Sequence, residues 1–343
     1  MEQKGFLNEP FLMKPAGKDY LWGGKRLKDE FAKEINMDPL AETWECSTHP
    51  DGPSIVFGGK FSGKTLREVL AENPRFLGTH PDMNGEFPIL IKLIDANSDL
   101  SIQVHPDDVY AMEKENGQFG KSEMWYVLDA LEDAKLIYGL RHDTEKDVLK
   151  KSIREGNIEK YLKKYPIKKN DIFFIEAGTI HAIGAGALIA EIQENSNLTY
   201  RLFDYNRVDK GGNRRELHID KALDVADFSS AKEPRQPMRV LNYRPGVASE
   251  LLCRCKYFEV HRMLVNTCMG QRVTYRADSL SFRVLLCIEG SGSITYSKSE
   301  EKKVISGQEQ GLINITKGDC VFVPADSVEM VIKGNMEFLD VRG

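Results

Sequence analysis

Short runs of β-forming residues, separated by Gly, Asn and Asp, recur along most of this chain. Typical runs are FPILIKLIDA, MWYVLDA, DIFFIEA, ALIAEIQE, LTYRLFDY, FRVLLCIEG and CVFVPA. Evenly spaced short strands with turn signals between them are typical of β-sandwiches and barrels. Since 343 residues exceed one ordinary domain, the pattern predicts a mainly β protein with two domains.

Four segments depart from this pattern and show helical periodicity. They begin near Thr65, after Pro106, near Asp143 and near Glu216. Thr65 and Glu68 have the spacing of a capping box at a helix N-terminus. The segment from residue 143 to 164 is amphipathic and highly charged, as expected of a surface helix. We expect these few helices to pack outside the β-domains.

Two stretches far apart in the chain are alike. KKNDIFFIEAGTIHAI begins at Lys168, and TKGDCVFVPADSVEMV begins at Thr316. Each has the pattern of a tight turn, an apolar strand and a second turn, as in jelly-roll β-barrels of the cupin type. His181 in the first copy corresponds to Glu329 in the second. The likeness predicts two cupin-type barrels, of which only the first has an imidazole at this turn.

Composition excludes several classes of protein. The net charge of −5 argues against a nucleic-acid binder. No apolar run approaches the roughly 20 residues of a membrane-spanning helix, and the N-terminus lacks the apolar segment of a signal peptide. The six cysteines form no CxxC pair, so we expect reduced thiols in a cytoplasmic protein. Cys253 and Cys255 lack the second cysteine pair that a zinc site would need.

Four polar residues of the first barrel have the pattern of a metal site. Gln103 and His105, in LSIQVHPDD, share one face of a strand because they are two residues apart. Glu123 begins the next strand, and His181 follows the turn EAGT. Two imidazoles and a carboxylate are the ligands of many catalytic metal sites, and Gln103 offers a weak fourth oxygen. Zinc is the first choice, although iron, manganese and cobalt also accept such ligands, and each single histidine is also compatible with a structural role.

The organisation of the chain follows from the same motifs. Residues 231–246 hold three prolines without clear periodicity, and we place a linker there. The predicted domains are a catalytic cupin domain with the helical segments, residues 1–235, and a cupin-like domain, residues 236–343. The second domain is expected to bind no metal, because Glu329 replaces the histidine and no Q-x-H pattern precedes it.

Longer motifs surround the four polar residues and extend over nearly the whole chain. They are LWGGKRL, AETWECSTHPDGPSIV, QVHPDD, GKSEMWYVLDA, FFIEAGTIHAIGAGALIAEIQENSNLTYRLFDYNR and RELHIDKAL. In kind and order they resemble the short bacterial form of type I mannose-6-phosphate isomerase, a family of zinc-dependent cupins. The resemblance implies one zinc ion per chain, bound by Gln103, His105, Glu123 and His181. It also implies interconversion of mannose 6-phosphate and fructose 6-phosphate through a cis-enediol.

The resemblance assigns further catalytic roles. Arg201 falls on the active-site arginine of the family, whose fixed charge and many donors suit an enediolate. Lys121 matches a lysine proposed to shuttle protons, and Glu191 matches a glutamate proposed as the base. This chain has Gly120 where some relatives have histidine, and Asn197 where some have aspartate. Proton-transfer schemes that need either residue therefore do not carry over.

Substrate binding is assigned in the same way. Lys92 and Ser101 match positions proposed to hold the phosphate, and no glycine-rich phosphate loop is present. Trp22 is expected either to flank the pocket or to pack in the core. A small sugar phosphate is the expected partner, and the sequence leaves the oligomeric state open, with a monomer as the working expectation.

Two other functions stay open at this stage. An iron-dependent cupin dioxygenase also uses two histidines and a carboxylate. A sugar-binding cupin without turnover would need neither Glu191 nor Lys121. The cationic residues Lys92, Lys121 and Arg201 favour an anionic sugar over an apolar substrate.

Overall fold

The computed structural model describes residues 8–80, 85–208, 211–234, 240–298 and 309–343. The strands are β1 Phe11–Lys14, β2 Ala16–Lys18, β3 Glu42–Cys46, β4 Ile55–Phe57, β5 Ile89–Ala96, β6 Ile102–Val104, β7 Glu123–Ala130, β8 Lys135–Leu140, β9 Leu162–Pro166, β10 Ile172–Ile175, β11 His181–Ile183, β12 Ala187–Glu194, β13 Tyr200–Phe203, β14 Asn242–Arg244, β15 Val247–Arg254, β16 Glu259–Asn266, β17 Val273–Tyr275, β18 Arg283–Ser297, β19 Gln310–Thr316, β20 Cys320–Val323 and β21 Met330–Arg342. The α-helices are α1 Arg26–Asp29, α2 Leu66–Glu72, α3 Asp108–Lys114, α4 Lys146–Arg154 and α5 Ile219–Val225, and two short 3-10 helices span Pro74–Leu77 and Ile158–Lys160.

The strands form three sheets with antiparallel pairing. Sheet 1 has six strands in the order β10-β7-β12-β5-β3-β2, and sheet 2 has five in the order β13-β6-β11-β8-β9. Sheet 3 has ten strands, eight of them in the order β14-β15-β16-β21-β18-β20-β1-β4, while β17 pairs with β21 and β19 with β18. The mainly β prediction is confirmed, although none of the three sheets closes into a barrel within the described residues.

Sheet 1 is the central layer. All eight residues of β5 and all eight of β12 are buried, which requires cover on both faces of the sheet. Ile91 of β5 packs in one cluster with Val284 of sheet 3. Ile94 of the same strand packs in another cluster with Leu136 and Ile183 of sheet 2. Alternate residues of sheet 1 therefore face the C-terminal sheet or the smaller sheet 2.

The four predicted helices are present, and one is shorter than expected. Thr65 and Glu68 form the predicted capping box at the start of α2. The shorter helix is α4, the third of the four predicted. It ends at Arg154, before Gly156, whose φ of 70° is a helix-ending conformation that favours glycine. Residues 162–166 form β9 against β8 instead, because pairing with β8 and the burial of Leu162 and Tyr165 override the helix-forming lysines. No helix in the described ranges combines the length and apolar character needed to cross a bilayer.

The two similar stretches do form matching elements. The strands β10 and β20 each follow a turn with a residue in the left-handed region, Asn170 at φ 73° and Gly318 at φ 98°. The N-terminal strands β1 and β4, however, belong to sheet 3, where Phe11 of β1 lies opposite Phe322 of β20, whereas β2 and β3 belong to sheet 1. The division of the chain near residue 235 stays a prediction, and residues 235–239 of the predicted linker 231–246 lie outside the described residues.

Aromatic stacking should make Phe322 a major contributor to stability. Its ring is fully buried and lies 5.1 Å from the ring of Phe11 and 5.5 Å from that of Phe282. Phe322→Ala should lower the free energy of unfolding by about 3–5 kcal/mol, measured by urea denaturation. Phe57→Ala removes the same atoms, but its ring is 64% exposed. This substitution should change the free energy of unfolding by less than about 0.5 kcal/mol. Equal stability of the two variants would contradict this packing role.

Candidate active site

Strand pairing in sheet 2 brings three of the predicted residues side by side. The short strand β6 lies between β11 and β13, and Gln103 is opposite both His181 and Arg201. Ile102 and Val104, on the other face of β6, are buried in the core beneath α4 and α5. This anchoring turns Gln103 toward sheet 1, and His105 follows at the end of the strand.

The facing side of sheet 1 supplies the acidic and basic groups. Glu123 and Trp125 alternate along β7, and Glu191 of β12 lies opposite both Trp125 and Lys92 of β5. The residues between them, such as Met124 and Ile192, pack toward sheet 3. The period of two along each strand therefore collects the polar side chains on one face.

His105, Glu123 and His181 meet between the two sheets. Each offers one ligand atom, and the three atoms lie within 4.8 Å of one another. His181 Nε2 is 3.3 Å from Glu123 Oε1, and His105 Nε2 is 3.6 Å from Oε2. All three side chains are buried. The arrangement has the residue types and the spacing of a catalytic metal site.

Backbone carbonyls fix the orientation of both imidazoles. His105 Nδ1 lies 2.7 Å from Leu198 O, and His181 Nδ1 lies 2.8 Å from Thr179 O. A carbonyl only accepts, so each Nδ1 carries a proton and each Nε2 presents its lone pair to the cluster. Burial lowers the pKa of His181 to about 4 and, together with Lys121, holds that of His105 well below its usual range. Both rings are therefore neutral, as metal ligands must be.

Glu123 has the environment of a carboxylate that needs a cation. It is fully buried, and neither oxygen makes a hydrogen bond of good geometry. Burial raises the pKa of its carboxyl to about 7, although the Lys121 ammonium, 2.7 Å from Oε2, opposes that shift. A divalent ion would use the lone pairs of Glu123 and of both imidazoles. The Gln103 side chain reaches within 3.5 Å of His181 Nε2, and rotation of its amide presents the oxygen to the same point. The residues present thus fit a bound metal.

Lys92 and Glu191 form a second buried pair beside the cluster. Lys92 Nζ is 3.0 Å from Glu191 Oε2 and 3.8 Å from a Glu42 oxygen, and Trp125 Nε1 donates to Glu191 Oε1 at 3.0 Å. Burial alone would raise the pKa of Glu191, but Lys121, Lys92 and the hydrogen bonds outweigh it and lower the pKa to about 2. Glu191 is therefore ionised at any ordinary pH.

Arg201 lies at the rim of the same site. Its Nε donates to Ser101 Oγ at 3.3 Å, and its Nη1 donates to Glu216 O at 3.0 Å. Burial and the nearby Arg215 lower the pKa of the guanidinium, which still stays charged. The structure thus brings Arg201 and Ser101 together next to Gln103. Trp22 is 3% exposed and packs between sheets 1 and 2 in the same core cluster as Trp125, and its role in substrate binding stays a prediction.

Glu42, Trp44 and Trp125 belong to the site and were not anticipated from the sequence. Trp44 Nε1 donates to Glu42 Oε2 at 2.8 Å, and Lys92 Nζ lies 5.1 Å from the centre of a Trp44 ring. The spacing in ETWEC was an available signal, because residues 42 and 44 must share a strand face. No signal in the sequence marked the carbonyls of Thr179 and Leu198, which orient the histidines. Every residue type has a backbone carbonyl, so residue identity does not distinguish these positions.

A cavity of about 730 Å³ is lined in part by Asn195 and Ser196. Among its lining residues are His49, Asp51 and Arg67. None of the predicted site residues lines it, so we do not assign it to the reaction.

Comparison with known proteins is consistent with this geometry. Residues 11–130 match the phosphomannose isomerase type I catalytic domain. The Bacillus subtilis protein YvyI, provisionally assigned as a mannose-6-phosphate isomerase, is 37% identical over 328 residues, which cover 95% of this chain and 96% of that protein. The mannose-6-phosphate isomerase ManA of the same organism is 34% identical over 330 residues, 96% of this chain and 97% of ManA.

A crystal structure of the mannose 6-phosphate isomerase from Bacillus subtilis superposes with a TM-score of 0.85 at 35% identity, covering 97% of this chain and 99% of that one. Both the sequence and the fold are therefore shared from end to end. The chain belongs to the type I phosphomannose isomerase family.

Proposed function

We propose that this chain interconverts mannose 6-phosphate and fructose 6-phosphate through a cis-enediolate. The observation that carries the proposal is the buried cluster of His105, Glu123 and His181, with the Lys121 ammonium against it. Its membership of a family named for this reaction points the same way.

The reaction moves a proton between C1 and C2 of the sugar. It needs a base at the carbon, a path for the hydroxyl proton and positive charge beside the oxygens of the enediolate. The site holds one carboxylate that is ionised, Glu191, and three cationic side chains, Lys92, Lys121 and Arg201. The groups required by the chemistry are therefore within one buried region.

The proposed metal is a single zinc ion held by Gln103, His105, Glu123 and His181. Two imidazole nitrogens, a carboxylate and a weak oxygen donor leave room for substrate oxygens in the coordination shell. When bound, zinc supplies a positive charge that polarises the carbonyl and stabilises negative charge on the neighbouring oxygen.

Lys121 and Arg201 have separate proposed tasks. Lys121 Nζ lies 3.2 Å from His105 Nε2 and 2.7 Å from Glu123 Oε2, close enough to give and take the hydroxyl proton of a sugar bound there. Arg201 is held by Ser101 and Glu216, so its guanidinium is oriented before substrate arrives. A preoriented donor stabilises the enediolate without reorganisation.

Glu191 is the proposed base, and its neighbours set its strength. A base must be unprotonated, which its lowered pKa guarantees, but a low pKa also makes it a weak base. Lys92 contacts Glu191 at 3.0 Å, so any substrate group that draws Lys92 away would strengthen the base. Lys92 and Ser101 remain the proposed partners of the phosphate, and Trp22 remains a proposed part of the pocket wall.

The setting of the enzyme is also proposed. Free cysteines throughout the described chain support a cytoplasmic location. A catalytic domain of residues 1–235 and a metal-free domain of residues 236–343 remain the proposed organisation, with a monomer as the proposed functional unit.

Loss of a metal ligand should remove metal and activity together. His181→Ala should reduce the zinc content from about one ion per chain to nearly none and abolish turnover, as measured by elemental analysis and a coupled isomerase assay. His142→Ala removes an exposed imidazole and should leave both unchanged. Full zinc content in an inactive His181→Ala protein would contradict its role as a ligand.

Arg201→Ala should mainly lower kcat. Its proposed contact forms with charge that develops only in the transition state, so kcat should fall on the order of 10²–10³-fold while KM and zinc content stay close to wild type. Arg201→Lys keeps the positive charge but lacks the planar pair of donors of a guanidinium, so its kcat should fall less than that of Arg201→Ala. A steep rise in KM with normal kcat would instead make Arg201 an anchor for the sugar phosphate.

Lys92→Met should change the pH dependence of catalysis. Removing the ammonium raises the pKa of Glu191, so a base that is ionised down to about pH 2 in the wild type would become protonated at higher pH. The acid limb of the kcat/KM profile should therefore move upward, whereas Lys168→Met, at an exposed lysine, should leave it in place. A large rise in KM with an unmoved acid limb would show that Lys92 binds phosphate and does not tune Glu191.

A further inference from the structure

The segment that carries Lys121 into β7 is held by three fixed acceptors. Residues 120–122 donate in turn from Gly120 N to Asp108 Oδ1 at 3.1 Å, from Lys121 N to Pro106 O at 3.0 Å and from Ser122 N to Glu194 Oε1 at 2.6 Å. Two of these acceptors are carboxyl groups. Their positions therefore decide where the Lys121 and Glu123 side chains lie.

Those two carboxyl groups also contact each other. The side chains of Asp108 and Glu194 are close enough for each to shift the pKa of the other. A hydrogen bond between them needs a proton on one carboxyl, because ionised carboxylates only accept. Glu194 Oε2 is buried and has no hydrogen-bond partner in the described chain. A proton on this oxygen supplies the missing donor.

The surroundings place that proton on Glu194. Burial and the nearby Asp108 carboxylate raise the pKa of Glu194 to about 8. Burial would also raise the pKa of Asp108, but hydrogen bonds from Tyr257 and Gly120 outweigh it and lower that pKa. The pair is thus one neutral carboxyl and one carboxylate at neutral pH.

Sheet 3 completes this arrangement from the other side. Tyr257 OH donates to Asp108 Oδ2 at 2.8 Å, and Lys256 Nζ lies 3.1 Å from the same oxygen. Both residues are in the turn between β15 and β16, together with the half-buried thiol of Cys255 near Glu194. These three groups are the titratable neighbours that face the pair from the C-terminal sheet.

Gly120 allows the close approach. A Cβ added there would lie 2.5 Å from Asp107 C and 2.5 Å from Asp108 N, closer than real Cβ atoms come to backbone. Any side chain at position 120 would push the segment away from α3. The residue type before Lys121 in this chain is therefore tied to the contact with Asp108.

We propose that Asp108 and Glu194 act as a carboxyl–carboxylate pair that positions Lys121 and Glu123 for the isomerase reaction, with Tyr257 of the C-terminal sheet holding the pair in place. The inference rests on the proposed function of Lys121 and Glu123. It gives the C-terminal sheet a part in catalysis without any contact to substrate. Asp108 and Glu194 are positioning residues, since they act through the backbone of residues 120–122.

A comparison of two substitutions tests the pair. Glu194→Gln keeps an oxygen for Ser122 N and offers an N–H to Asp108, as the protonated carboxyl does, so kcat should stay near wild type. Glu194→Ala removes both contacts, and kcat should fall about 10–100-fold with KM little changed, the usual effect of losing a residue that orients a ligand. Glu113→Gln, at an exposed carboxylate of α3, is the matched control.

Thermal unfolding against pH gives a readout apart from activity. The folded state raises the pKa of Glu194, so its contribution to stability is complete below the unfolded-state pKa and is lost as pH rises through about 8. The melting temperature of the wild type should therefore fall more steeply between pH 6 and pH 9 than that of Glu194→Gln, which cannot ionise.

Each outcome decides one part of the proposal. If Glu194→Gln lowers kcat as much as Glu194→Ala does, the active enzyme needs an ionised Glu194. The proposed proton between Glu194 and Asp108 is then wrong. If Glu194→Ala keeps wild-type kcat, the positioning role is wrong. If wild-type protein does not isomerise mannose 6-phosphate, the proposed function fails, and the melting comparison still tests the proton.

Discussion

The burial of sheet 1 on both faces is the constraint from which the site follows. A strand covered on one side by sheet 3 and on the other by sheet 2 has no water to solvate its polar side chains. Each buried polar group must then find a partner inside the protein or cost stability. Lys92, Glu123 and Glu191 sit at such positions, and each has a partner of opposite charge within 3.0 Å. The network is therefore a consequence of placing ionisable residues in a central sheet.

The charges in this network suit a bound metal. The carboxyl groups of Glu123 and Glu191 face the ammonium groups of Lys121 and Lys92, and both histidines are neutral. An ionised Glu123 buried without a metal is costly, and a divalent cation held by His105, Glu123 and His181 would offset that cost. With Lys92, Lys121 and Arg201 nearby, the metal-bound site would suit an anionic sugar and an enediolate.

The sequence predicted those features that depend on the period of a strand. Gln103 and His105 were placed on one face by their spacing alone, and Glu123 and His181 were grouped with them from their positions at strand ends. The mainly β fold and the starts of the helices followed from the same local patterns. The resemblance to a family added Arg201, which spacing alone would have left as a surface residue, and the structure places it opposite Gln103.

Features that depend on contacts between distant segments could not be predicted from the sequence. The pairing of β1 with β20 joins residues about 300 positions apart, and a short strand such as FLMK carries no signal of its partner. Residues 162–164 were expected to end a helix because lysine and glutamate favour helices, and the pairing of this segment with β8 decided otherwise. Lys92 was assigned to phosphate from its position in a motif, but only the fold shows that Glu191 and Glu42 surround it.

The contacts of Asp108 show how sheet 3 can contribute to the site without touching the metal ligands. Residues 120–122 lie just before β7, where backbone donors lack strand partners. Asp108 and Glu194 satisfy these donors, but two adjacent carboxyl groups need either a proton or further donors to stay together. Tyr257 and Lys256 supply those donors from sheet 3. In the proposed arrangement sheet 3 thus stabilises a pair of adjacent carboxyl groups, and through them the backbone that carries Lys121.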